Sequence, residues 1–222
     1  MKQLSLIITI IAIAGCSKMG ALKLNTTEVK MHSLDEHYIT SDGTNVTFSS
    51  RDPFIATVNE TTGQVTALHV GETYIDVFAD EGKNKLKVTV SPLYNAITDP
   101  ITSWGMSVKE LKSKLGEPLA EENTAEESTY ISYAYGNANK GDKHIGTGYY
   151  FEKDRLDKVT IIINSDYRLE VVQHLAERWQ YYGQEGGMYI FGDTMDIKEM
   201  KTYVSLCKMS GLWCILYSQY DK

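Results

Sequence analysis

The chain has 222 residues, 42% hydrophobic and 23% charged, with 22 basic side chains against 29 acidic ones for a formal charge of −7. That composition belongs to a folded chain of one or two domains and excludes wholesale disorder or a collagen-like repeat. The acidic balance makes it a poor partner for phosphate backbones, so nucleic acid is not expected, and its three cysteines are too few for a disulfide scaffold.

In chain order, Lys2 precedes an apolar run from Leu4 to Gly15. One positive charge before a short apolar run is the build of a secretory signal peptide, and the run falls well below the ~20 residues a membrane-spanning helix needs. It ends in Ile13-Ala14-Gly15-Cys16, which resembles a bacterial lipobox. The resemblance implies removal of residues 1–15, a lipid on the Cys16 sulfur and acylation of the new amino terminus. The membrane is then a partner through that anchor, with each buried CH₂ contributing about 0.8 kcal/mol. Ser17 offers no acidic retention signal, so the outer membrane is favoured, with its surface and periplasmic faces both open. Residues 16–21 would be the tether.

Residues 22–91 are rich in Thr, Val and Ser, with turn residues every eight to twelve positions, a spacing that predicts an all-β sandwich. Strands are expected at Ala21–Leu24, Glu28–His32, His37–Thr40, Asn45–Ser49, Ala56–Asn59, Gln64–Ala67, Gly71–Ala79 and Lys85–Val90. Thr73, Ile75 and Val77 share one face of their strand, and Leu86, Val88 and Val90 share one face of theirs. The run Val46-Thr47-Phe48-Ser49-Ser50-Arg51-Asp52-Pro53-Phe54-Ile55-Ala56-Thr57-Val58 resembles the hallmark of the bacterial immunoglobulin-like domains of group 2 (Big2). The turn at Gly63, the strand from Gly71 to Ile75 and the close on Val88-Thr89-Val90 follow in the family's order. Phe48 stands where the family usually has Trp. The resemblance covers about 70 residues and implies an Ig-like surface, adhesion or spacer module rather than an enzyme.

Residues 92–103 hold Pro92 and Pro100, which favour extended, turn-prone backbone and predict a linker. From 104 to 222 the pattern predicts an α+β domain. Ser107-Val108-Lys109-Glu110 is a capping box, and Gly116 and Pro118 stop the helix it opens. An acidic loop from Glu117 to Glu127 follows, then strands at Thr129–Tyr135, Thr147–Phe151 and Lys158–Ile163. A second helix is expected over Tyr167–Tyr182, with Leu169, Val172, Ala176 and Trp179 on its apolar face, His174 on the polar side and Gly183 as its C-cap. Strands at Met188–Phe191, Lys201–Lys208 and Leu212–Tyr220 complete the chain. Helix then three strands, twice, predicts a duplicated unit with an antiparallel sheet.

Chemistry is sparse. Histidines at 32, 37, 69, 144 and 174 share no i, i+4 spacing, and neither His-Glu-x-x-His nor Cys-x-x-Cys is present, so no metal and no cofactor are expected. The glycines from Gly141 to Gly148 lack the Gly-Lys-Ser/Thr ending of a phosphate loop and read as a hairpin loop. The acidic loop lacks the turn glycine and alternating ligands of a calcium site. A two-residue turn at Ser210-Gly211 would pair Met209 with Leu212 and set Cys207 opposite Cys214, within reach of a disulfide, but the very short enclosed loop favours two buried thiols. Twelve of the fifteen tyrosines and all three tryptophans lie beyond residue 100. Tyr133 and Tyr135 share one strand face and are the candidate ligand-contact aromatics. The reading is a lipid-anchored, non-enzymatic envelope protein for adhesion or macromolecule binding, with the Ig-like module as spacer. A carbohydrate-binding surface lipoprotein is the alternative, and an enzyme whose site assembles only in the fold is the third reading.

Overall fold

The computed structural model describes residues 22–123 and 127–220. The signal segment, Cys16 and the tether lie outside the described residues.

The first unit is a sandwich of two sheets. β1 (Glu28–Met31), β7 (Gly82–Val90), β6 (Gly71–Ala79) and β3 (Thr47–Ser50) form one sheet in that order, with β1 parallel to β7. β2 (Glu36–Tyr38), β5 (Gln64–Ala67) and β4 (Ala56–Val58) form the other. The alternation in β6 and β7 does what its period demands: Ile75, Val77, Leu86 and Val88 are fully buried and meet Val65 and Ala67 from the facing sheet. Phe48 closes this core. Its ring would lie 2.8 Å from a Cβ at position 63, and Gly63 holds φ +70, so the turn requires glycine twice over.

The second unit is one antiparallel sheet of eight strands with few helices. α1 (Val108–Leu115) leads into β8 (Ala120–Asn123), β9 (Ser128–Ala134), β10 (His144–Glu152) and β11 (Arg155–Ile163). α2 (Arg168–Ala176) leads into β12 (Gln180–Glu185), β13 (Met188–Gly192), β14 (Thr202–Met209) and β15 (Leu212–Gln219). The order across the sheet is β12-β13-β14-β15-β11-β10-β9-β8, so two four-strand meanders meet antiparallel at β15 and β11. Each half therefore holds four strands rather than the expected three. β8 escaped notice because Glu121, Glu122 and Asn123 form an exposed edge with no apolar alternation. The antiparallel sheet is as expected, but strands dominate and the α-helices are short, so this is a mostly β unit where the sequence predicted α+β.

The capping box of α1 forms as read: the Ser107 hydroxyl accepts from the Glu110 amide at 3.3 Å, and the Glu110 carboxylate accepts from the Ser107 amide at 2.8 Å. α2 departs from expectation in length and in face. It stops at Ala176, and Gly183 lies inside β12 at φ +126. Its buried residues are Val171, His174 and Leu175, while Leu169 is 66% exposed. The periodicity selected the stripe with more large apolar residues, but histidine takes the inner position because two acceptors await it there.

Leu111, Val171 and Leu175 from the helices share one core with Ile131, Tyr149, Ile161, Val204 and Tyr217 from the sheet. The segment expected to be a linker packs into the same core: Ala96 and Ile97 are buried, and Trp104 and Met106 pack beside them. Residues 92–103 are thus part of the second unit's helix-bearing face. Prolines made them extended but not free.

Candidate functional site

A polar cluster lies where the two units meet, on the last turn of α2 and just beyond it. Glu177 is buried, and its carboxylate accepts from the amides of Leu93 (3.0 Å) and Tyr94 (3.0 Å). Its own carbonyl accepts from Val70 in the first unit at 2.7 Å. One residue therefore holds both the connecting segment and the Ig-like unit. Arg178 donates from Nε to Asp99 at 2.9 Å and from Nη1 to the Tyr94 carbonyl at 3.2 Å.

His174 is fully buried between them, with Nδ1 3.1 Å from the Tyr94 carbonyl and Nε2 3.0 Å from Asp99 Oδ1. Each ring nitrogen thus faces an acceptor, and the ring links residues 94–99 to α2. Burial pushes the half-exposed Asp99 carboxyl up, but the hydrogen bond from His174 and the charges of His174 and Arg178 outweigh it and hold it below its usual value. The Tyr217 hydroxyl is buried with no hydrogen-bond partner among the described residues, and burial raises its pKa.

On the first unit's side, the His69 ring stacks on Phe54 at 4.0 Å and an interplanar angle of 12°, with Nδ1 2.6 Å from the Phe54 carbonyl. Burial lowers the His69 pKa. A cavity of about 400 Å³ opens beside this stack, lined by Leu34, Leu68, Leu93, Tyr181 and Met195 among others. A second, of about 780 Å³, is lined by Phe54 and by four carboxylates, Asp52, Asp193, Asp196 and Glu199, with Lys201. Met195 lines both, so the two cavities adjoin, and together they make a cleft region with an apolar side and an acidic side.

The sequence-derived aromatic pair is split by the fold. Ile131 and Tyr133 lie on the covered face of β9, whereas Tyr135, one residue past the end of that strand, is 42% exposed. Tyr133 is 9% exposed in the core with its hydroxyl donating to the Gly116 carbonyl at 3.0 Å, and Tyr135 stacks on His144 at 4.2 Å. The open face carries the other parity. Across it, Tyr130, Tyr150, Lys158, Ser218 and Tyr203 stand side by side in register. The Tyr130 and Tyr150 rings lie 4.7 Å apart at 43°, and Tyr130 covers Gly148, where a Cβ would meet its ring at 2.5 Å. Strand alternation made this second face legible in the sequence, but nothing local says which face the helices cover.

The last hairpin has the register its turn predicts. Ser210 (φ +48) and Gly211 (φ +87) form the turn, Met209 pairs with Leu212, and Cys207 pairs with Cys214. Both are buried free thiols, and burial raises both pKa values. Among the described residues no group of three or more His, Cys, Asp or Glu side chains is placed to hold a metal ion.

The two-sheet sandwich with its parallel first strand defines the first unit as an immunoglobulin-like domain. More narrowly, residues 24–90 are a bacterial Ig-like domain of group 2. No curated protein matches the chain. Among solved structures, domains 5–6 of the S-layer protein SbsC align over 90% of this chain and 84% of theirs, at 11% identity and a TM-score of 0.28. The EC1-2 domains of human protocadherin-24 align over 89% and 92%, at 13% identity and a TM-score of 0.25. Likeness at that level carries no functional reading.

Proposed function

We propose that this is an exported, lipid-anchored envelope protein without catalytic activity, whose Ig-like unit is a rigid stand-off and whose second unit recognises a macromolecule. The observation that carries the stand-off is where the chain enters and leaves the sandwich. It enters at Leu22, whose carbonyl accepts from Asn84 near the β6–β7 turn, and leaves after Val90 at the other end of β7. Six residue steps of β7 from Asn84 to Val90, at about 3.3 Å each, separate these ends by ~20 Å. Cys16, the lipidation residue implied by the lipobox, precedes Leu22 by six positions, a reach of at most ~20 Å. The clasp at Glu177, His174 and Arg178 then fixes the second unit to the far end.

A non-catalytic role is supported by the engagement of both His174 ring nitrogens and by the polar clusters' structural partners. Among the described residues no helix is long and apolar enough to cross a membrane, so attachment in this reading rests on Cys16. The test is Cys16→Ser. The variant should accumulate uncleaved and leave the detergent phase for the aqueous one, and unchanged partitioning at unchanged mass refutes the anchor. The carbohydrate reading retains one specific support, the Tyr130–Tyr150 pair on the open sheet face, since aromatic rings stack on sugars and dominate interfaces.

A further inference from the structure

We propose that the cleft between the two units takes an extended peptide segment of a protein partner, with a basic side chain at the acidic end and neighbouring apolar side chains at the other. This deepens, and rests on, the reading of the chain as a binding protein. Charge complementarity selects the occupant. Asp52, Asp193, Asp196 and Glu199 face Lys201 as the lining's cation, and among the described residues none of the four carboxylates forms an ion pair. Asp52, Asp193 and Asp196 each use Oδ1 to accept a backbone amide, which fixes their direction. The adjoining end gathers exposed apolar side chains that folding alone would not keep in water: Leu34 at 77%, Leu93 at 59%, Met195 at 53% and Tyr181 at 44% exposure.

Leu34 is the sharpest of these. It is the most exposed of them and also sits at φ +71, a left-handed conformation that costs a leucine free energy and that glycine adopts freely. Strain and exposure together make leucine a poor choice for stability at position 34, and its side chain lines the apolar end. The walls come from different units, so the cleft depends on the clasp. Val70 bonded to the Glu177 carbonyl and the Leu93 and Tyr94 amides bonded to its carboxylate hold them at a set separation, so a ligand meets a preformed site.

The probe is a fluorescein-labelled decapeptide with Arg-Leu-Phe at the centre of a Gly-Ser background, titrated by anisotropy with the full chain. Two control peptides replace Arg by Glu or Leu-Phe by Ser-Ser. We expect binding of the first peptide only, weakening as salt rises. Leu34→Gly should lower the affinity about tenfold while the melting temperature holds or rises, because the substitution relieves the backbone. Glu199→Lys, on an exposed side chain, should lower it by a similar factor and narrow the discrimination against the Glu control. No binding at millimolar protein, equal binding of the Glu control, or an affinity insensitive to either substitution overturns the cleft. Tyr150→Ala on the open sheet face separates the two readings: binding lost there and kept in both cleft variants leaves a recognition protein standing and removes the cleft as its site.

Discussion

His144 makes folding stability depend on pH in a direction and range that the structure fixes. The ring is 8% exposed, its Nδ1 accepts from the Thr98 amide at 3.2 Å, and its Nε2 lies 2.8 Å from the Thr147 hydroxyl. Thr98 N–H can only donate, so a proton on Nδ1 would set donor against donor, and the folded ring is neutral. Burial, the dominant cause, pushes its pKa down to about 4, and the charge of His174 adds to the shift. The unfolded chain binds a proton at an ordinary pKa of ~6.5, so between pH 6.5 and 4 it holds more protons than the native state. Stability contributed by neutral His144 is therefore complete above pH 6.5 and is lost as pH falls toward 4. Linkage puts the loss at about 2 kcal/mol by pH 5 and about 3 kcal/mol by pH 4. His144→Gln keeps an acceptor for Thr98 and a donor for Thr147 and removes the titration. Urea unfolding at constant ionic strength, from pH 7.5 to 5, should show wild type losing about 2 kcal/mol more than the variant. Parallel losses in the two proteins refute the assignment of His144 as a buried neutral ring held by Thr98.

Glu177→Ala strands the Leu93 and Tyr94 amides and should cost about 2–3 kcal/mol, with Glu177→Gln costing less; a change under about 0.5 kcal/mol in the alanine variant removes the clasp from the argument. Asp99, held below its usual pKa, contributes stability that is complete above about pH 4 and is lost as pH falls below it, so Asp99→Asn should flatten the melting curve's acid limb, modestly for a half-exposed carboxylate. Thiol counting in denaturant without reductant should find Cys207 and Cys214 both reactive, and a missing pair would mean a bridge forms across the hairpin. Gly148→Ala should displace the Tyr130 ring, read as altered tyrosine fluorescence with little loss of secondary structure.

Much of the first unit was legible because its signals are local. β5 and β6 match their expected limits, and the family resemblance rests on a contiguous run, Val46 to Val58, with the Gly63 turn and the strands at Gly71 and Val88 following in order. The same holds for α1, whose capping box is four consecutive residues, and for the Ser210-Gly211 hairpin, whose register follows from a two-residue turn. What failed needed partners far along the chain. His174 reads as a surface residue until Tyr94 and Asp99 are brought beside it, and residues 92–103 read as a linker until Ala96 and Ile97 find the core. Lys153-Asp154 closes the β10–β11 hairpin with both residues at positive φ and no glycine, so that turn left no signal.

The two central hairpins also explain why a duplication could be expected without visible identity. Lys153-Asp154 and Ser210-Gly211 are the same turn in the two halves: each is a two-residue loop with positive φ at both positions, closing a pair that feeds β11 or β15. Shifted by the distance between those turns, β10 overlies β14 and β11 overlies β15 almost end to end, and α1 falls on the start of α2. The repeat thus resides in the spacing of turns and helices, which topology constrains, while the side chains differ because the halves meet different neighbours. α2 and the residues just past it hold the connecting segment and the Ig-like unit through His174, Glu177 and Arg178, whereas α1 contributes Leu111 to the apolar core. The asymmetry of the second unit, with its clasp and cleft at one end, follows from where the first unit docks.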